Sequence, residues 1–342
     1  MSITMKELAR LAGVSQSTVS LALSDDPRVA AATRERLLLL ADKMDFSVNH
    51  FARALKTRES ALLGFLIPRI SHSIFAGLFD GAAGVARKNG YGILVDFISI
   101  ENQIIKEQFT LFKERKIDGL LVISNSYAPL ADWIKDFHKR GIPTVICSGE
   151  SDNPDVPFVV IDNFRGGMIA AEHLVSLGHR RIAYCYLGGC PDDPVAAKRY
   201  AGCLECAARN NLEAPRFVKS PAALLELMGS PRRPTGLVMF SDKHAVDAKH
   251  LLESRGFCVP KDVSITGFDN SDFTEWPEFS LTSIDQPREE MGRMAAGMLM
   301  QLARGEHVES RLLEPTLVIR KSCISCQKKE KRAGAAGKKG GE

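Results

Sequence analysis

Between residues 60 and 320 the chain repeats one pattern: a short apolar run, then an amphipathic stretch, then another apolar run. ALLGFLI, YGILVDF, IDGLLVI, PTVICSG and FVVID are the first five runs, with helical segments at Phe75–Asn89, Gln103–Lys116 and Leu130–Lys139 between the first four. The pattern restarts with RRIAYCYL, PRFVKS, TGLVMFS and VSITGFD. Strands that are apolar throughout are buried on both faces, and alternation with helices makes the sheet parallel. Two such series in about 260 residues predict two doubly wound lobes. Ligands of such sheets bind beyond the carboxyl ends of the strands. A site between two lobes would draw on those ends from both.

The first 46 residues follow a different rule, with three short helical patterns and little strand character. Thr4 and Glu7 have capping-box spacing at the start of the first helix. Gly13 suits the left-handed turn of a tight helix–helix corner, and Ser15 suits the cap of the next helix. Leu8, Ala9, Val19, Leu23, Leu37, Leu38 and Ala41 are the expected core of this small module. The short corner has the spacing of a helix-turn-helix, whose second helix enters the major groove by its N-terminal residues. Gln16 and Ser17, with Leu21 one turn on, are then the candidate base readers, and Ser15, Thr18 and Ser20 are donors for phosphates. Bulk charge does not make this case. The net charge of +4 includes a surplus of five in residues 321–342, and the remainder carries −1.

MKELARLAGVSQSTVSLAL resembles the opening of the lactose/galactose repressor family, position by position at Ala9, Ala12, Gly13, Val14, Ser15, Thr18, Val19 and Ser20. The likeness continues through IDGLLVI, VVIDNFRGGMIAAEHLVSLGHRRIAY, GFDN, LTSIDQP and LEPTLVIRKS, over roughly residues 2–322. It implies an all-α helix-turn-helix head on a sensor like the periplasmic sugar-binding proteins. The expected divisions are 1–46 for the DNA-binding head, 47–59 for a hinge, 60–161 with 288–320 for one lobe, and 162–287 for the other. Crossings between lobes are expected near 162, 286 and 321.

The resemblance also implies roles. In the head, Thr4, Ser15, Gln16, Ser17, Thr18, Ser20 and Leu21 form the DNA surface. Gln can pair bidentately with adenine, whereas Leu offers only apolar contact, for example to a thymine methyl. Family members often carry Arg at the position of Leu21, so this chain should read a different operator. In the hinge, Asn49, Leu55 and Lys56 match a short helix that forms on DNA, with Leu55 as a minor-groove wedge. In the sensor, Phe75, Ser124, Arg199, Asp242, Asp269 and Gln286 are candidate effector contacts by their place at strand ends, and the resemblance implies that Phe75, Arg199, Asp269 and Gln286 line the pocket. Ring stacking, a guanidinium fork and carboxylates that accept paired hydroxyls suit a sugar or sugar derivative. Gly188–Asp193 lacks the basic residue of the purine-sensing relative, which disfavours an anionic purine-type effector. The expected partners are double-stranded operator DNA, a small-molecule effector and a second copy of the chain, since two heads are needed for a near-palindrome.

Rival classes lack their signatures. A solute-binding protein for uptake would have a secretion signal and no DNA-reading head, but the chain opens with the polar MSITMKELAR. An α/β enzyme would show a phosphate loop, a dinucleotide fingerprint or a Gly-x-Ser-x-Gly elbow, and none is present. The expected location is therefore the cytoplasm, with no membrane span, no cofactor and no metal. The eight cysteines, at 147, 185, 190, 203, 206, 258, 323 and 326, are scattered as buried thiols would be. Cys323-x-x-Cys326 is at best half a zinc site, with no second pair to complete it. Residues 323–342 are expected to form a disordered basic tail.

Overall fold

The structure, a computed structural model, describes residues 3–23, 26–44, 46, 60–68, 73–99, 101–124, 130–188 and 193–326. The chain divides into two compact units, Met1–Ala61 and Leu62–Glu342.

In the first unit, α1 (Met5–Ala12), α2 (Gln16–Leu23) and α3 (Ala31–Lys43) enclose a small core of Leu8, Ala9, Val19, Ala22, Val29, Leu37 and Ala41. Leu38, expected in that core, is 47% exposed. The stripe of α3 that faces inward passes through Leu37 and Ala41, four residues apart, and Leu38 falls outside it. Arg36 donates to the carbonyl of Ala12, tying α3 to the end of α1.

The second unit carries β1 (Leu62–Ile67), α4 (Ser73–Lys88), β2 (Gly92–Phe97), α5 (Asn102–Glu114), β3 (Gly119–Ile123), α6 (Ala131–Lys139), β4 (Thr144–Cys147) and β5 (Phe158–Ile161). The chain then crosses to α7 (Asn163–Ser176), β6 (Ile182–Cys185), α8 (Pro194–Arg209), β7 (Arg216–Val218), α9 (Pro221–Gly229), β8 (Gly236–Met239), α10 (Asp242–Glu253), β9 (Ser264–Asp269) and β10 (Thr282–Asp285). It returns through α11 (Arg288–Ala303) to β11 (Arg311–Leu313) and ends the described fold with β12 (Thr316–Val318). One sheet has the order β11-β5-β4-β3-β1-β2 and is parallel throughout. The other has the order β12-β10-β9-β8-β6-β7 and is parallel except for β12, which runs antiparallel at its edge.

β12 corrects the expected boundary. The chain rejoins the first sheet only through β11 and crosses back at Glu314–Pro315, before Leu317 rather than near 321. Ser322 and Cys323 then pack on the second lobe: the Ser322 hydroxyl donates to the Ile265 carbonyl at 2.6 Å. The amide of Cys326 donates to the Leu177 carbonyl. Residues 323–326 thus belong to that lobe and not to the tail, because the start of β9 and the segment after α7 offer them partners: the Cys323 thiol donates to the Ile265 carbonyl and the Ile324 amide to the Ser264 hydroxyl. The Cys323 thiol, pushed up to about 11 by burial, sits in this contact. Residues 327–342 lie outside the described residues.

Helix pairing fixes the cleft side of the second lobe. A Cβ at Gly167 would meet the Arg199 carbonyl oxygen at 1.9 Å, and one at Gly202 would meet the Phe164 carbonyl oxygen at 2.0 Å. Only residues without a side chain let α7 and α8 approach so closely. That approach brings the first turn of α7 against the second turn of α8.

Candidate functional site: a helix-turn-helix surface and an inter-lobe polar cluster

In the head, the Thr4 hydroxyl accepts from the Glu7 amide at 3.2 Å and the Glu7 carboxylate accepts from the Thr4 amide at 2.8 Å, completing a capping box. Gly13 takes φ +66° and ends α1. Ser15 caps α2, its hydroxyl accepting from the Thr18 amide at 3.0 Å and meeting the Thr18 hydroxyl at 2.8 Å. The corner leaves Ser15, Gln16 and Ser17 exposed and turns Val19 and Ala22 inward. Thr18, Ser20 and Leu21 are half-buried, and Leu21 rests partly on the small core. Asn49, Leu55 and Lys56 lie outside the described residues.

In the body, Arg199 is buried in the second turn of α8. Its Nε donates to Asn163 Oδ1 at 2.9 Å, and Nη1 donates to the Phe240 carbonyl at the carboxyl end of β8. The guanidinium carbon lies 3.4 Å from the centroid of the Phe268 ring and 4.8 Å from that of Phe240. Burial depresses the Arg199 pKa and the negative field of Asp269 opposes it. Asn163, at the first turn of α7, donates in turn to the Ile161 carbonyl at 3.2 Å. These neighbours spread the charge over two ring faces and two acceptors, which is how a buried guanidinium stays ionised.

Asp269 ends β9, and Gln286 Nε2 donates to its Oδ1 at 2.6 Å. Asp269 has φ +105° and Asn270 φ +46°, left-handed values held by the Ser283 hydroxyl, which accepts from the Asn270 amide. Ser148, after β4 of the other lobe, has φ +78°. Each such residue costs about 1–3 kcal/mol, and such strain gathers at ligand clamps. Both lobes therefore carry strained backbone at a strand's carboxyl end. Burial raises the Asp269 carboxyl above its ordinary range, against the pull of Arg199 and the Gln286 hydrogen bond.

Asp242 corrects an expectation. It is fully buried, one oxygen accepting from the Ser271 amide at 2.7 Å and the other from the Ser283 hydroxyl at 2.5 Å. It anchors the turn after β9 from beneath, with no oxygen open to a ligand, because its place at the start of α10 directs it under Gly267. Burial first, and the charge of Asp269 second, raise its pKa.

Phe75, in the first turn of α4, is half-buried against the first-lobe core. Ser124 is buried just after β3, its amide donating to the Cys147 carbonyl. The structure brings Arg199, Asp269 and Gln286 into one cluster on the second lobe, while Phe75 and Ser124 lie on the first. Asn163, Phe240 and Phe268 escaped sequence reasoning. The only advance signal was their position after or at the end of an apolar run, which many core residues share. On the α8 side, Lys198 pairs with Glu150 of the other lobe. Among the described residues no group of His, Cys, Asp and Glu is arranged to hold a metal ion, and no helix is long and apolar enough to cross a membrane.

Comparison with known proteins adds independent evidence. The model of the bacterial regulatory proteins of the lacI family matches residues 4–49, and that of the periplasmic binding protein-like domain matches residues 171–323. The HTH-type transcriptional repressor CytR of Escherichia coli K12 is 32% identical over 332 residues, covering 93% of this chain and 96% of that protein. PurR of Vibrio campbellii, also an HTH-type transcriptional repressor, is 27% identical, covering 93% and 97%. Among solved structures, the Lac repressor dimer bound to operator and the anti-inducer ONPF has a TM-score of 0.81 at 22% identity, covering 95% and 100%. The complex of the regulator CelR with cellobiose has 0.68 at 25%, covering 94% and 99%. A helix-turn-helix head, a two-sheet body and 32% identity over nearly the full length of a transcriptional repressor concur: the chain is a transcription regulator, not an enzyme, and belongs to the lacI family of bacterial regulatory proteins.

Proposed function

We propose that the chain is a cytoplasmic homodimeric repressor that reads a near-palindromic operator and releases or grips it according to a sugar or sugar-derivative effector bound between the lobes. The supporting observation is the Arg199–Asp269–Gln286 cluster, with Arg199 buried and stacked yet using only part of its donor fork. An ionised Asp269 accepts two vicinal hydroxyls, and the remaining Arg199 donors reach a ring or hydroxyl oxygen. Phe75 and Ser124 supply the opposing wall from the first lobe. Gln16 and Ser17 read bases with help from Leu21, while Thr4, Ser15, Thr18 and Ser20 serve the phosphates. Asn49, Leu55 and Lys56 form the hinge, with Leu55 as the wedge between central base steps. Two heads read half-sites about one helical turn apart.

The ligand acts by differential affinity for two lobe arrangements, typically about 1–3 kcal/mol of coupling. The test is a titration of duplexes enriched by this chain with pentoses, hexoses, disaccharides and nucleosides, read by fluorescence anisotropy. A shift with one chemical class that disappears in Arg199→Met supports the reading. A shift that persists in Arg199→Met contradicts it.

A further inference from the structure

The second lobe carries an unassigned feature at the amino-terminal ends of its strands, opposite the cleft side. Two adjoining depressions there share Arg216, Leu227, Ser230 and Arg232, the larger with a volume of about 550 Å³. Leu227 lines both and Val218 the larger, giving an apolar floor, and Arg181, Arg216 and Arg232 stand exposed around it. β7 forms the sheet edge here, pairing with β6 on one side only.

The arginines are largely uncommitted. Arg232 pairs with Glu213 at 3.0 Å, but both side chains are well exposed, so that pair is readily exchanged. Arg181 spends only Nε, on the Arg233 carbonyl. Among the described residues no ion pair engages Arg216. Glu213 and Glu226 are the acidic residues of the lining, and Lys219 and Arg233 add charge nearby by lying over Phe217 and Phe257.

We propose that this groove docks an acidic, extended segment of a partner protein, with carboxylates taken by the arginine forks and apolar side chains set on Val218 and Leu227. Arginine binds carboxylate bidentately, which gives direction as well as charge. β7 has only three residues, so main-chain pairing adds little and the side chains carry recognition. The chain's own residues 327–342 are unsuited as occupant. With six Lys or Arg against two Glu, they share the sign of the groove's arginines. A second copy would bring the same surplus of arginine over glutamate to the contact, so like charge opposes it. A nucleic acid presents phosphates, which have no use for the apolar floor.

The experiment is fluorescence anisotropy of the full chain with a fluorescein-labelled peptide of alternating aspartate and leucine, alongside a random-sequence DNA duplex and a polyglutamate peptide. The expected result is saturable peptide binding that weakens with salt and falls about tenfold or more in Arg181→Glu/Arg216→Glu. Arg209→Glu, on α8 and outside the lining, should leave it unchanged, as should the head's retention on DNA in both variants. Absence of saturable binding overturns the proposal. So does equal loss in Arg209→Glu, which marks a diffuse charge effect. Equal affinity for polyglutamate removes the role of the apolar floor. Displacement by the duplex with the same arginine dependence makes the surface a nucleic-acid contact instead.

Discussion

Asn163 holds Arg199 by a 2.9 Å hydrogen bond from Nε, so a residue at the crossing between lobes sets the orientation of the buried guanidinium at the cleft. Phe268 and Phe240 complete the hold from the ring faces. The cluster is thus tied to the interlobe connection itself, where a ligand would have most leverage on lobe geometry.

Asn163→Ala removes the acceptor and leaves a buried charged donor unsatisfied. Bonds to charged groups contribute about 1.5–3 kcal/mol. Urea unfolding of the variant should show a loss of that size, together with a weaker effector response. A variant with unchanged midpoint and slope would show that water or another acceptor serves Arg199 equally well.

Gly202→Ala places a methyl group 2.0 Å from the Phe164 carbonyl oxygen, too close to survive without moving α8. Overpacking of this kind costs about 1–3 kcal/mol, and here it also shifts Arg199 relative to Asn163. Thermal unfolding should record a lower midpoint. Gly229→Ala, where a Cβ meets nothing within 4 Å, serves as the comparison and should be near neutral.

Asp242 and Asp269 are both raised by burial, so the folded chain binds more protons than the unfolded chain at mildly acidic pH. Stability contributed by these groups is greatest at low pH and declines as pH rises from about 4 toward neutrality. Asp269→Asn should flatten part of that decline, measured as urea midpoints across the range. A wild-type profile in which Asp269→Asn steepens the decline would contradict the burial assigned to this carboxyl. Effector binding should run the other way and tighten with rising pH, because the ionised form accepts paired hydroxyls.

Gln16 is exposed on α2, so Gln16→Ala should leave the head's stability unchanged while weakening binding to selected duplexes by about 1–3 kcal/mol. Val19→Ala should do the opposite, loosening the head core first. Circular dichroism melts and anisotropy titrations at one salt concentration separate the two effects.

Much of this molecule was legible before its structure. Continuous apolar runs alternating with helical patterns revealed the two doubly wound lobes, and Thr4, Glu7, Gly13 and Ser15 announced the corner because capping chemistry is local. What depended on distant packing was not legible. Leu38 has the same chemistry as Leu37, and only the rotation of α3 against α1 decides which is buried. Asp242 has the look of a ligand carboxylate until its two partners arrive, Ser271 from the turn after β9 and Ser283 from β10. The last crossing fell at Glu314–Pro315 because β12 adds antiparallel to β10, a pairing across more than thirty residues that no local period encodes. Asn163, Phe240 and Phe268 became visible only when α7 closed on α8.

The most direct measurement is protection mapping of genomic duplexes enriched by the full chain, with wild type and Gln16→Ala/Ser17→Ala compared at the same salt. The regulator reading predicts a protected near-palindrome with half-sites about 10 base pairs apart, lost in the double variant while the fold is retained. Enrichment of no site, or protection indifferent to both substitutions, would contradict it.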